Sequence, residues 1–404
     1  MLTLDELNAL IANALQAPEK PAETVSLHDA QGRILAEDAV SPLNMPVADV
    51  SAMDGYAFYN DGTTRLARVG ESVAGKSFAG KVGMGECVRI MTGAVVPEGA
   101  DSVEMQENVV REGDHIVLQQ SGKTGSHIRR AGEEVREGET VLCAGQLLTA
   151  ADILLLAALG QAQVTVRARL AVGIFSTGDE LVVPGGALSE HGQIYDSNRA
   201  LLIALLQALP VEIIDGGIVR DDLDAIKATL ADMGERCDVI LTSGGVSVGD
   251  YDFLKDAVEA LGEIKSYKVK MKPGKPFVFG RVGKAVYFGL PGNPVSGFVG
   301  FSRIVRPALW QMAGADPVPE AFSLVVPLAQ GVRKSPGRRD FQRGRLQRTE
   351  SGWQVVPQGA QDSHRIYGLA RANCLIDIPA ESGDLAAGER VTVWPFFDRF
   401  AGGG

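Results

Sequence analysis

At 404 residues the chain exceeds one ordinary core, and roughly 100–200 residues per domain predicts two to four domains. A formal net charge of −11 excludes a general nucleic-acid binder, which needs a basic face for phosphates, so any anion site has to be local. The four cysteines, Cys87, Cys143, Cys237 and Cys374, form no CxxC pair, which argues against a zinc site or a disulfide framework. No leader-like N-terminus and no apolar run of about 18 residues is present, so the expectation is a soluble, cytoplasmic protein with no membrane contact.

Thr3 and Glu6 form a capping box ahead of a helix whose apolar stripe is Leu7, Leu10, Ile11, Ala14 and Leu15. Strand-like runs follow at 24–27 and 33–35, and Pro42 and Pro46 mark a boundary. From 43 to 138, short apolar runs cut by glycine predict a mainly β module. It carries two polar turns, Ser51-Ala52-Met53-Asp54-Gly55-Tyr56 and Met91-Thr92-Gly93-Ala94. An Asp-Gly pair alone reads as a plain turn. A strong helix then starts near Thr149, with Asp152 in its first turn, and ends at Gly160.

From about 168 the pattern alternates strand and helix, which implies an α/β unit with a mostly parallel sheet and a ligand crevice at the carboxyl ends of its strands. Three glycine-bearing loops leave strands at that end, at 176–180, 242–250 and 291–294, and they should converge. The middle one, Thr242-Ser243-Gly244-Gly245-Val246-Ser247, suits an anion through its backbone N–H groups and hydroxyls. Asp250 and Asp252 follow it, at the start of a helix over 253–261.

Charge gathers around this crevice. Lys268, Lys270 and Lys272 alternate with Val269 and Met271, which predicts one basic strand face, and Lys275 follows in a turn; this makes a local anion trap on an acidic chain. Opposed to it are Glu180, Asp196, Asp221, Asp222, Asp250 and Asp252. Carboxylates beside phosphates suit magnesium, although Asp221-Asp222 reads equally as a helix cap ahead of Leu223. After about 319 short strands predict a small β barrel, with a basic turn at 337–343 and a polar turn Asp362-Ser363-His364-Arg365, in which His364 reads as a surface residue.

Six motifs occur in a fixed order: Ser51-Ala52-Met53-Asp54-Gly55-Tyr56, Arg89-Ile90-Met91-Thr92-Gly93, Ser176-Thr177-Gly178-Asp179-Glu180-Leu181, Ser243-Gly244-Gly245-Val246-Ser247, Lys272-Pro273-Gly274-Lys275-Pro276 and Leu290-Pro291-Gly292-Asn293-Pro294-Val295-Ser296. In that order, and over nearly the whole chain, they resemble the molybdopterin molybdenumtransferase family, which includes the gephyrin E domain. The resemblance implies a homodimer of four-domain subunits. Residues 1–42 and 139–167 would form a discontinuous linking domain around an inserted β-rich domain, 43–138. A three-layer parallel α/β molybdopterin-binding domain, 168–318, and a C-terminal small β barrel, 319–404, would follow.

The implied reaction inserts molybdenum from molybdate into adenylylated molybdopterin and releases AMP with Mg2+ help, in a cleft between the third and fourth domains of one subunit and the second domain of its partner. The catalytic candidates are Asp54, Thr92, Glu180, Asp221, Asp252, Lys272, Lys275, Pro291, Pro294 and Ser363. Glu180, Asp221 and Asp252 are the metal candidates. Thr177, Ser243, Gly244, Gly245, Ser247, Lys268, Asn293 and Arg338 are the substrate-binding candidates. Transient contacts with molybdopterin adenylyltransferase and with acceptors of the cofactor are expected. The alternatives are another magnesium-dependent nucleotide or phosphoryl transferase and a non-catalytic scaffold of the same fold.

Overall fold

The computed structural model describes residues 1–120, 122–244 and 253–396. The N-terminal helix, Leu4–Ala14, has the expected reciprocal cap: the Glu6 amide donates to Thr3 Oγ1 at 3.1 Å and the Thr3 amide to Glu6 Oε2 at 2.8 Å. Its buried face, Leu4, Leu7 and Ile11, joins the core of the α/β unit beside helix Arg306–Met312.

The chain then leaves and returns through short antiparallel pairs. Strand Glu23–Ser26 pairs with Gln163–Val166, Ala39–Val40 with Thr140–Leu142, and Val50–Ser51 with Ile128–Arg129. Helix Ala150–Ala158, capped by Thr149 and Asp152, packs over this neck through Leu156. Between the two halves lies one six-stranded sheet in the order Ser102–Met105, Gly55–Phe58, Glu86–Ile90, Arg65–Ser72, His115–Leu118, Val109–Glu112. Period-two alternation gives it two apolar faces: Tyr56 and Phe58 on one, Ala57 on the other.

The α/β unit is built on a second six-stranded sheet, in the order Val211–Val219, Leu170–Thr177, Val239–Ser243, Ala285–Leu290, Pro276–Val282, Gly262–Lys268. The first four strands are parallel and the last two antiparallel, so one edge of the expected parallel sheet is a meander. Val239, Leu241, Val286 and Phe288 face helices Ser197–Leu206 and Arg306–Met312. Ile240 and Tyr287 face helices Leu223–Arg236 and Phe253–Leu261. Those two apolar faces are why the central strands read as unbroken hydrophobic runs.

The alternating lysines do not form one strand. Gly262–Lys268 ends in the α/β sheet, Val269 and Met271 are fully buried, and Met271–Lys272 pairs in parallel with Arg339 and Asp340 of the next unit. Leu2 bridges the break, donating to the Lys268 carbonyl at 3.0 Å and accepting from the Lys270 amide at 2.7 Å. That next sheet runs Met271–Lys272, Arg339–Thr349, Cys374–Ile378, Arg390–Pro395, Leu324–Pro327, with Gly352–Pro357 paired to Arg339–Thr349. The Leu328–Val355 bridge brings its two ends together around a core of Ile376, Ile378, Val391 and Val393. Among the described residues no helix is long and apolar enough to cross a membrane.

Candidate active site

Where the α/β unit meets the barrel there is a cleft of about 580 Å³, a size suited to a small-molecule ligand. Lys272, Lys275, Pro291 and Asn293 line it from the α/β side, and Arg338 and Ser363 from the barrel side. The turn carrying the lysines is closed by the Val269 amide, which donates to the Lys275 carbonyl at 2.8 Å. Gly274 takes φ +94° there, so the turn requires glycine; a Cβ on it would lie 2.8 Å from Met271 Cε, the flexible end of a side chain that can shift. The Val295 amide donates to the Ser363 carbonyl at 3.2 Å, which ties the barrel segment to the 291–294 turn.

The cleft is electropositive by construction. Lys272, Lys275 and Arg338 are solvent-exposed cations, and the one ion pair that any of them makes among the described residues is that of Lys272 Nζ with the buried Asp340, at 3.8 Å. Asp362 is occupied: Arg365 Nε donates to it at 2.9 Å and holds its carboxyl below the usual carboxylate range. Clustered cations with donor hydroxyls suit a compact oxyanion. His364 is exposed, as expected of a surface residue, and sits on the lining of the cleft.

At the carboxyl ends of the parallel strands the expected loops do converge. The Gly244 amide donates to the Leu290 carbonyl at 2.9 Å, and Asn198 Nδ2 donates to the Gly292 carbonyl at 2.6 Å. Ser243 is buried, and among the described residues its hydroxyl has no partner. Thr177 ends its strand in register with Val219, which brings the loop after it to the segment after Val219: the Asp221 amide donates to Asp179 Oδ1 at 3.2 Å. Asp221 is largely exposed, and partial desolvation, then the nearby charges of Asp179 and Glu180, push its carboxyl above its ordinary value. Gly245, Ser247, Asp250 and Asp252 lie outside the described residues.

Two of the opposed carboxylates serve the scaffold instead. Asp196 is buried, caps helix Ser197–Leu206 and binds Arg199 Nε at 2.8 Å, because a buried charge must be paired. Asp222 caps helix Leu223–Arg236 through the Ala225 amide at 2.8 Å, so Asp221 alone of that pair faces the other carboxylates. Lys268 does not line the cleft, since its strand ends before the break at Val269. Pro294 is the first residue of helix Pro294–Gly300, where its missing N–H costs nothing, and it positions Asn293 rather than lining the cleft itself.

Asp54 and Thr92 lie together in the β-rich unit. Asp54 Oδ1 accepts from the Thr92 amide and hydroxyl, and these bonds, with the charge of Arg89, hold the carboxyl below its usual range. Arg89 also fixes the turn beneath: Nη1 donates to the Gly55 carbonyl at 2.8 Å and Nη2 to Gln106 Oε1 at 2.6 Å. Neither Asp54 nor Thr92 lines the cleft of its own chain. Sequence reasoning missed Asn198, Gln361 and Asp340. Only Asn198 carried a local signal, as a polar residue just inside a helix start.

The architecture and the site define a multidomain protein organised around a molybdopterin-binding type of α/β domain. Residues 2–160 match the MoeA N-terminal region (domain I and II), 173–311 a probable molybdopterin binding domain, and 325–396 the MoeA C-terminal region (domain IV). The chain is 42% identical to the molybdopterin molybdenumtransferase of Haemophilus influenzae over 98% of its own length and 99% of that protein. It is 38% identical to molybdopterin molybdenumtransferase 2 of Mycobacterium tuberculosis, over 98% and 99% respectively. The crystal structure of the molybdopterin biosynthesis moeA protein from Pyrococcus horikoshii OT3 superposes with a TM-score of 0.83 at 30% identity, covering 98% of this chain and all of that one. The chain belongs to the molybdopterin molybdenumtransferase family.

Proposed function

We propose that this chain inserts molybdenum from molybdate into the dithiolene of adenylylated molybdopterin and releases AMP, the last step of molybdenum cofactor synthesis. The observation that carries the reading is the meeting of Lys272, Lys275 and Arg338 with the Ser363 segment in one cleft, next to the crevice at the strand ends. Molybdate is a tetrahedral dianion, and the three cations with the Ser363 hydroxyl match it in charge and in donor type. The unpartnered Ser243 hydroxyl and the backbone at Gly244, with Gly245 and Ser247 after them, bind the phosphate of the pterin substrate. Thr177 and Asn293 flank that substrate. Pro291 and Pro294 hold the turn that presents Asn293.

The carboxylates fit magnesium. Glu180 and Asp221 would hold it with Asp252, and the like-charge crowding that raises the Asp221 carboxyl is what a divalent cation relieves. When bound, it neutralises charge on the pyrophosphate as AMP departs.

Asp54 and Thr92, held together but away from the cleft of their own chain, fit a homodimer in which they face the cleft of the partner subunit. The division into 1–42 with 139–167, 43–138, 168–318 and 319–404, a cytoplasmic location and passing contacts with the adenylyltransferase and with cofactor acceptors belong to the same proposal. The test is to incubate the purified protein with adenylylated molybdopterin, magnesium and molybdate and to follow AMP. Release that depends on molybdate and is lost in Lys272→Ala supports the proposal; release indifferent to molybdate overturns it.

A further inference from the structure

Arg343 lies in strand Arg339–Thr349 and is fully buried, yet among the described residues its guanidinium finds a single acceptor. Nη2 donates to the Ala360 carbonyl at 2.7 Å, while Nε and Nη1 have no partner among the described residues. A buried cation with unsatisfied donors is unfavourable for folding, and a leucine or methionine would fill the same space without that cost. What surrounds it gives the charge a use. The Arg343 amide donates to Gln361 Oε1 at 2.8 Å, and its carbonyl accepts from Gln361 Nε2 at 3.1 Å and from the Gln358 amide at 2.9 Å. Helix Ile366–Arg371 closes from the other side, where a Cβ on Gly368 would lie 3.3 Å from Arg343 Nε. The segment 358–368 is therefore fastened to one residue from its backbone and its side chain, and the other face of that segment presents Gln361, Asp362 and Ser363 to the cleft.

We propose that Arg343 is a positioning residue for the oxyanion: its grip on Ala360 places the Ser363 hydroxyl, and its buried charge biases the wall of the cleft toward a doubly charged tetrahedral anion. Asp340 and Asp362 flank the guanidinium and offset part of its burial, and Arg365 opposes them. The inference rests on the reading that this cleft takes molybdate.

Molybdate is titrated calorimetrically into the full-length parent, Arg343→Met, Arg343→Lys, Ser363→Ala and Lys272→Ala, with KM and kcat measured on the same preparations. Arg343→Met should weaken molybdate binding at least about tenfold and raise KM by the same factor, with kcat at saturating molybdate within about threefold of the parent. Arg343→Lys keeps the charge and loses the fork, and should fall between the two, about three- to fivefold weaker. If Ser363→Ala weakens molybdate while both Arg343 variants bind it like the parent, the inference is overturned and the cleft reading stands. If Ser363→Ala and Lys272→Ala also bind like the parent, both fall. Should Arg343→Met not fold, Arg343→Lys decides alone, and an unchanged affinity overturns the proposal.

Discussion

Thr92 makes two hydrogen bonds to one oxygen of Asp54: Oδ1 accepts from the backbone N–H at 2.7 Å and from the hydroxyl at 2.8 Å. Oδ2 has no protein partner among the described residues, so the carboxylate is ionised, oriented and open on one side. Both bonds favour the charged form, which therefore persists as pH falls below the ordinary carboxylate range. Thr92→Val removes the hydroxyl bond, and the acid limb of the pH–rate profile should move to higher pH. Asp54→Asn should lower kcat by about a hundredfold or more with an unchanged melting temperature. A profile that does not move in Thr92→Val would assign Asp54 to the turn alone.

Asp221 shows the opposite sign. Its carboxyl is raised in the folded state, so ionisation at neutral pH works against folding; the penalty is absent below the unfolded pKa and grows as pH rises past it. Asp221→Asn in magnesium-free buffer at pH 7 should therefore be slightly more stable than the parent, by less than about 1 kcal/mol because the group is solvent-exposed. Magnesium should raise the melting temperature of the parent and not that of the variant. Equal responses would remove Asp221 from the metal site.

Gly274 holds the lysine turn in a left-handed conformation against Met271. Gly274→Ala should cost roughly 1–2 kcal/mol in urea unfolding from the backbone alone. Because the turn carries Lys275, the variant should also raise KM for molybdate more than it lowers kcat.

Trp394 of the barrel and Arg303 of the α/β unit form the junction beside the cleft. The guanidinium lies 3.7 Å from the indole centroid, and burial pushes it down to about 10. Trp394 Nε1 donates to Asp377 at 2.9 Å, and Arg339 Nη2 grips the same carboxylate at 2.7 Å. Trp394→Leu loses the cation–π contact and a charge-assisted hydrogen bond, an expected loss of about 2–3 kcal/mol by urea denaturation. A loss well below 1 kcal/mol would mean the units are held elsewhere.

Much of this was legible in the chain. The capping box at Thr3, the helix start at Thr149 with Asp152 in its first turn, the apolar runs of the central strands and the barrel strands all announced themselves, because each is a local pattern with a single physical cause. The convergence of the loops at Gly178, Gly244 and Gly292 followed from strand–helix alternation. The lysine face did not survive, because Val269 and Met271 each look like the inward half of one strand whether or not that strand is continuous; the crossing into the barrel is set by Arg339 and Asp340, some seventy residues on. Asp196 and Asp222 looked like site carboxylates for a related reason. A cap and a ligand use the same side chain, and only the position of Arg199 or the Ala225 amide tells them apart. Arg343 stood in a basic turn indistinguishable in sequence from Arg338, yet one is buried and the other open.

The central claim is metal insertion coupled to loss of AMP. It is tested most directly by quantifying, in one reaction with adenylylated molybdopterin, magnesium and molybdate, the molybdenum recovered on the pterin and the AMP released. The account predicts equal amounts, both abolished by omitting molybdate and both sharply reduced in Lys272→Ala. AMP formed in full with no molybdenum on the pterin would contradict it and leave the chain a hydrolase of the adenylylated substrate.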